Sequence, residues 1–283
     1  MSISLQTRLP QTFRIKAIKQ ETEPVRTLTF ATTLQARPGQ FAMVWVPGID
    51  EIPLSVAYDD GKGELRFTFS VVGDATKALA AMQEGDLVGL RGPFGTHYEW
   101  EKKQHLILVA GGYGAAPMYF TAHEALRDGC TLDIVIGARN KDLLLYVEEL
   151  QSLPHTKLHI ATDDGSAGHK GFNVDILEQL LTTHPSVPDN VRAGNSLPTT
   201  VLACGPERML LKVLEVTLAG KIPVQLSFER YMKCGYGLCG NCVADPLGIC
   251  LCKEGPVLSG ELAQKVTEFG KYHRDELGKK KAF

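Results

Sequence analysis

Five of the seven cysteines of this chain fall between positions 234 and 252. The first three, Cys234, Cys239 and Cys242, are spaced C-x4-C-x2-C, and Cys250 and Cys252 follow within ten residues. Thiolates are soft donors that bind iron and zinc, and this spacing is that of a plant-type [2Fe–2S] site. Gly235, Gly237 and Gly240 lie in the same loop, so its backbone can come close to inorganic sulfide, and backbone N–H groups there stabilise negative charge. Structural zinc sites use two C-x2-C pairs a dozen or more residues apart, whereas only one such pair is present here. A disulfide knot fits poorly with an odd cysteine count in a chain without a secretory signal.

Three further stretches have the composition of nucleotide loops. Gly111-Gly112-Tyr113-Gly114-Ala115-Ala116-Pro117 joins an apolar strand to a helical pattern and can seat a pyrophosphate on the helix N-terminus. It departs from G-x-G-x-x-G, and Gly137-Ala138-Arg139 stands where a ribose-binding acid is expected. Thr162-Asp163-Asp164-Gly165-Ser166 is the second loop. In the third, Cys204-Gly205-Pro206, a small thiol and a glycine leave room for a flat ring. Taken singly, each is equally readable as a tight turn; their placement after successive strands points to a nucleotide.

The elements that must position these loops are of two kinds. Between residues 11 and 98, short alternating runs (13–18, 27–30, 40–46, 64–70 and 87–90) are separated by turn residues, which predicts a small antiparallel β-barrel. One short helix, residues 75–82, begins directly after Val72-Gly73-Asp74 and offers free N–H groups to a phosphate. From His105 onward, strands at 105–110, 132–136, 157–161, 200–204 and 224–228 alternate with helical patterns at 115–126, 143–150, 174–181 and 207–218. That alternation predicts a parallel sheet covered by helices, with ligands at the carboxyl ends of its strands. Residues 184–199 read as a surface excursion, 262–277 as a terminal helix, and Lys279-Lys280-Lys281 as a solvated end.

A length of 283 residues suits two domains and a small module: 1–101, 102–226 and 227–283. With 44% hydrophobic and 22% charged residues and a net charge of -2, the chain reads as a globular protein without a nucleic-acid surface. The longest apolar run, 106–120, is too short and too rich in glycine to span a membrane, and the first ten residues lack a signal-peptide pattern. A cytoplasmic protein that avoids membranes is expected.

The order of parts resembles the ferredoxin reductase-like electron-transfer subunits of class 1B dihydroorotate dehydrogenase. The likeness rests on Gly-Gly-x-Gly-x-Ala-Pro, Cys-Gly-Pro, Glu229-Arg-Tyr-Met-Lys-Cys-Gly-Tyr-Gly-Leu-Cys-Gly-Asn-Cys242 and Cys252-Lys-Glu-Gly-Pro-Val257, and runs from about residue 12 to 259. Gamma subunits of sulfhydrogenases share much of it. The resemblance implies FAD on the barrel, NAD(H) on the second domain, and a [2Fe–2S] cluster facing a separate FMN-containing catalytic subunit, in a heterotetramer serving pyrimidine biosynthesis. By position it implies that Pro53, Leu54 and Ser55, with Val72, Gly73, Ala75 and Thr76, hold FAD. Gly112, Gly114, Cys204 and Gly205 would shape the nicotinamide pocket, and Cys234, Cys239, Cys242 and Cys252 would hold iron. Gly92-Pro93-Phe94-Gly95 matches the family's glycine turn. Ile52 stands where many relatives carry the arginine that pairs the FAD phosphates, leaving backbone donors at 73–76 or Lys77 as replacements. No residue reads as a base for dihydroorotate, so that chemistry would belong to the partner. The rival readings are a subunit feeding another complex, such as a sulfhydrogenase, and a zinc-stabilised binding module.

Overall fold

The computed structural model describes residues 9–183 and 199–282. The first eight residues and, apart from Thr199, the expected surface excursion at 184–199 lie outside the described residues.

Six antiparallel strands form a closed barrel: β1 (Gln11–Thr22), β2 (Val25–Phe30), β3 (Phe41–Val46), β4 (Asp50–Asp59), β5 (Leu65–Ser70) and β6 (Leu87–Phe94), in the order β1-β2-β5-β4-β3-β6. Alternating side chains such as Leu28, Phe30, Val44, Leu65, Phe67 and Val88 fill its interior. The spacing predicts every strand but β4, because Pro53 interrupts its run. The ladder explains how proline is tolerated: residues 50–55 pair with β3, Met43 lying opposite Pro53, while pairing to β5 begins only at Val56. The first half of β4 is thus an edge, where a missing N–H costs little. Helix α1 (Asp74–Ala81) follows β5, one residue earlier than the pattern suggests.

The second sheet has the order β10-β9-β8-β7-β11-β12-β15. Its strands are β7 (His105–Gly111), β8 (Thr131–Ala138), β9 (Thr156–Thr162), β10 (His169–Lys170), β11 (Thr200–Cys204), β12 (Val224–Ser227) and β15 (Val257–Ser259). All pairs are parallel except β12 with β15. One face packs against α2 (Ala115–Arg127) and the residues around α3 (Val147–Gln151), the other against α4 (Asn173–Thr183) and α5 (Glu207–Ala219). Helix α3 is shorter than the predicted 143–150, since residues 141–143 form a separate 3-10 turn. Phe120 of α2 is fully buried in the barrel core, which fixes the barrel to the sheet.

The predicted terminal helix at 262–277 is not formed. After the ribbon β13 (Val243–Ala244) with β14 (Ile249–Cys250) and the short α6 (Leu251–Glu254), only α7 (Gly260–Ala263) is helical. The chain then turns through Gly270, at φ +72°, into a hairpin of β16 (Tyr272–Arg274) and β17 (Lys280–Ala282). Val266 and Phe269, whose spacing mimics a helix face, are buried from a non-helical backbone, and Phe269 packs on Phe228 with ring centroids 4.4 Å apart. The lysine run is exposed, with Lys280 and Lys281 on β17. One continuous core joins Met43 of the barrel, Val109 and Ala203 of the sheet, and Cys242, Leu251 and Cys252 of the last segment.

On the α4/α5 face, the Nε2 atoms of His105 and His159 approach the two oxygens of buried Asp133 at 3.0 and 2.7 Å. Burial raises the pKa of this carboxyl, but the two imidazole hydrogen bonds outweigh it and hold the value at about 2. Because the folded value lies below the usual 3.8, the ionised group stabilises the fold above pH 3.8, and this contribution is lost as pH falls through about 2. Asp133→Asn is expected to cost about 2 kcal/mol at neutral pH. Urea titrations of both proteins should show that difference shrinking as pH falls from 3.8 to 2.

Candidate functional site

One of the three nucleotide loops, 162–166, leaves the end of β9, and the other two, 111–117 and 204–206, meet at the carboxyl ends of β7 and β11. Gly114 lies against the other loop so closely that an added Cβ would stand 2.2 Å from the Cys204 carbonyl oxygen and 2.9 Å from the Gly205 nitrogen. Gly111 and Gly205 are likewise within backbone contact of one another. Gly112 differs: a Cβ there meets nothing within 4 Å, so this part of the turn faces open space, as a pyrophosphate seat requires. Cys204 is buried, and that burial pushes its thiol up to about 12, so it shapes the pocket as a neutral group.

Two residues at this mouth escape a reading by motif. The hydroxyl of Tyr113 donates to Glu229 Oε2 at 2.5 Å, linking the glycine loop to the segment that runs into the cysteines. Burial, and then the neighbouring carboxylate, keep that hydroxyl protonated. Next in sequence, Arg230 is buried between Glu207, at the start of α5, and Glu268, with contacts of 2.5 and 3.0 Å. A charged pair following a strand in the sequence was the available signal, but it names no partners.

On the barrel, Pro53, Leu54 and Ser55 occupy the half of β4 that pairs only with β3. Ile52 is partly buried against the barrel core and brings no charge. Val72 and Gly73 form the turn into α1. The Thr76 hydroxyl accepts from the N–H groups of both, each at 2.9 Å, and donates to the Gly73 carbonyl, so it serves the turn itself. Ala75 is buried behind it, Lys77 pairs with Asp74 at 3.4 Å, and a Cβ on Gly73 would again meet nothing within 4 Å. An edge strand and an open helix N-terminus suit a long phosphate-bearing ligand.

The cysteines converge in two pairs. Cys234 contacts Cys239, and Cys242 contacts Cys252; Cys250, on β14, belongs to neither pair. Backbone N–H groups already point at the sulfurs: Gly237 at Cys252 (3.1 Å), Leu238 at Cys234 (3.3 Å) and Cys252 at Cys242 (3.4 Å). Burial raises the Cys234 pKa, but N–H donors from Cys239, Tyr236 and Leu238 overcome it and bring the value to about 6. A hydrogen bond from the Cys252 thiol is the main cause lowering Cys242 to about 7, while Cys252, holding the shared proton, moves up. Among the described residues no three His, Cys, Asp or Glu close around a single metal point. Two thiol pairs in a nest of N–H donors form a donor set that suits a [2Fe–2S] cluster. Cys239 is exposed, as are Tyr236 and Leu238, so this end of the molecule faces outward.

Among the described residues, no helix is long and apolar enough to cross a membrane. Residues 108–214 match the family of oxidoreductase NAD-binding domains, and residues 229–263 match the iron-sulfur cluster binding domain of dihydroorotate dehydrogenase B. A probable dihydroorotate dehydrogenase B (NAD(+)) electron transfer subunit from Methanocaldococcus jannaschii is 39% identical over 271 residues, covering 96% of this chain and 98% of that protein. The corresponding protein of Methanothermobacter thermautotrophicus is 37% identical over 275 residues, covering 96% and 97%. Among solved structures, one of an NADH-dependent reduced ferredoxin-NADP oxidoreductase superposes with a TM-score of 0.73 at 28% identity, over 91% of this chain and 93% of that one. A ferredoxin-NADP+ reductase from Plasmodium falciparum shares the fold, with a TM-score of 0.62 at 15% identity over 74% and 91%.

Proposed function

The chain belongs to the electron transfer subunits of dihydroorotate dehydrogenase B, and on that premise we propose that it passes electrons from the FMN of a separate dihydroorotate-oxidising subunit to NAD+. The setting is pyrimidine biosynthesis in the cytoplasm, and the assembly a heterotetramer. By the expected boundaries residues 1–101 form the FAD unit, 102–226 the NAD(H) unit and 227–283 the cluster unit, the last of which also contributes β15 to the nucleotide sheet. Bound FAD supplies the conversion between one-electron transfer at a [2Fe–2S] cluster and two-electron transfer at nicotinamide.

The chain's own residues divide the work. Cys234 and Cys239 would hold one iron, and Cys242 and Cys252 the other. Pro53, Leu54 and Ser55 offer an open strand edge to the flavin. Val72 and Gly73 form the turn beside its phosphates, their own N–H groups held by Thr76, and Ala75, with the other first-turn N–H groups of α1, faces those phosphates. These N–H groups stand in for the arginine that Ile52 replaces. Gly112 leaves room for the NAD(H) pyrophosphate, and Gly114, Cys204 and Gly205 set the walls of the nicotinamide pocket. The Cys204 thiol remains neutral and takes no proton in the transfer.

The observation that carries this reading is the reach of residues 229–234. At one end Glu229 is bonded to the glycine loop through Tyr113, and at the other the Cys234 carbonyl is bonded to Arg91 of the barrel. A few residues therefore touch all three units. Co-expression with the catalytic subunit and isolation of the complex tests the proposal. Expected are FAD, about two irons and two acid-labile sulfides per copy of this chain, and bleaching by NADH. A colourless protein that contains zinc would refute it.

A further inference from the structure

Arg91, on β6, belongs to neither nucleotide loop, yet it is a buried cation aimed at the cysteine segment. Its Nε and one terminal nitrogen form a fork on Glu51 at 2.6 and 2.5 Å. Its other terminal nitrogen donates to the carbonyl of Cys234 at 2.6 Å. The guanidinium also lies over the rings of Phe94 and Tyr236, at 5.5 and 5.6 Å from their centroids. Glu51 directly precedes Ile52-Pro53-Leu54-Ser55, so one side chain ties the strand proposed to seat the flavin to the first cluster ligand.

The Cys234–Gly235 bond is not among the cis peptides of the described residues, which all precede proline. In a trans peptide the N–H of Gly235 points opposite to the Cys234 carbonyl, away from Arg91. A cation on the oxygen polarises the whole peptide and makes that N–H a stronger donor. The peptide has little freedom to swing away: a Cβ on Gly235 would stand 3.0 Å from Met43 and 3.2 Å from Phe94, so the backbone lies flat on the barrel wall. Adding an electron to an iron–sulfur cluster adds negative charge, which stronger donors and nearby cations favour.

We propose that Arg91, oriented by Glu51, is a positioning residue that raises the cluster's affinity for an electron through the positive charge it holds on the carbonyl of the Cys234 ligand. This rests on the cluster reading given above. The two partners have opposite electrostatic effects. Loss of Arg91 removes the polarising cation, whereas neutralising Glu51 leaves that cation less compensated.

An EPR-monitored redox titration of the cluster in the co-expressed complex tests this. Arg91→Gln should retain iron yet shift the reduction equilibrium about tenfold toward the oxidised cluster, a change of about 59 mV for a one-electron couple. Arg91→Lys, which keeps the charge but cannot make the fork, should fall between that variant and the unaltered protein. Glu51→Gln should shift the equilibrium severalfold the other way. If Arg91 only held the loop in place, both neutral variants would lose iron or shift in the same direction; that result, or shifts below twofold in both, overturns the proposal. Should Arg91→Gln fail to fold, Glu51→Gln decides alone: an upward shift supports the proposal, and a downward or absent shift overturns it. An unaltered complex without iron or an EPR signal would instead remove the cluster reading itself.

Discussion

Replacement of Cys252 by serine should cut the iron content of the purified protein about tenfold and abolish electron transfer from the partner, since a hard hydroxyl replaces a thiolate in a site whose affinity depends on all four. Cys250→Ser should leave iron, sulfide and the visible spectrum essentially unchanged. The contrast follows from position. Cys252 accepts the Gly237 N–H at 3.1 Å and contacts Cys242, whereas Cys250 lies on the small ribbon outside both thiol pairs. Metal and sulfide analysis of the two variants side by side is the check. Loss of iron in Cys250→Ser with retention in Cys252→Ser would reverse the ligand assignment.

The second large effect is expected at Gly114. An alanine there would place its Cβ 2.2 Å from the Cys204 oxygen and 2.5 Å from the Cys204 carbonyl carbon, both backbone atoms at the end of a central strand that cannot turn aside. Gly114→Ala should therefore destabilise the fold by about 3 kcal/mol, at the upper end for overpacking. The two nucleotide loops should part, and reduction of the protein by NADH should fall at least about tenfold, an effect worth about 1.4 kcal/mol in the barrier. Cluster iron should stay bound, because the thiol pairs lie on another segment. Gly112→Ala is the control. Its Cβ points into open space, so beyond the roughly 1–2 kcal/mol strain of φ +52° it should chiefly weaken NADH binding. Thermal melts with NADH titrations separate the cases. Equal stability losses with unchanged NADH affinity in both variants would argue against a ligand at this turn.

Much of this was legible because the decisive signals were local. The C-x4-C-x2-C spacing, the loops after strands and the change from alternating runs to strand–helix alternation each lie within a few residues, where periodicity and composition speak directly. Strand β4 escaped because Pro53 normally argues against a strand, and only the unpaired half of the ladder shows why it is allowed there. The terminal helix expected over 262–277 fails at Val266 and Phe269. Their spacing suits a helix face, but the burial that produces it comes from packing on Phe228 and from Gly270, which turns the chain against Leu211. The ties among the three units were illegible for another reason. Arg91 lies 40 residues from Glu51 and 143 from Cys234, and Tyr113 lies 116 from Glu229. Pairings at such separations are set by topology, and no local pattern announces them.

The antiparallel strand β15 has a consequence for how the protein comes into being. It is the outermost strand of the nucleotide sheet, yet it is encoded after all five clustered cysteines. A ribosome that has made β12 has therefore exposed a sticky strand margin, which stays uncovered until residues 257–259 emerge. All five clustered cysteines are therefore synthesised before the nucleotide half can be completed. The cysteine segment is no detachable cassette but a loop sewn between two neighbouring strands of one sheet.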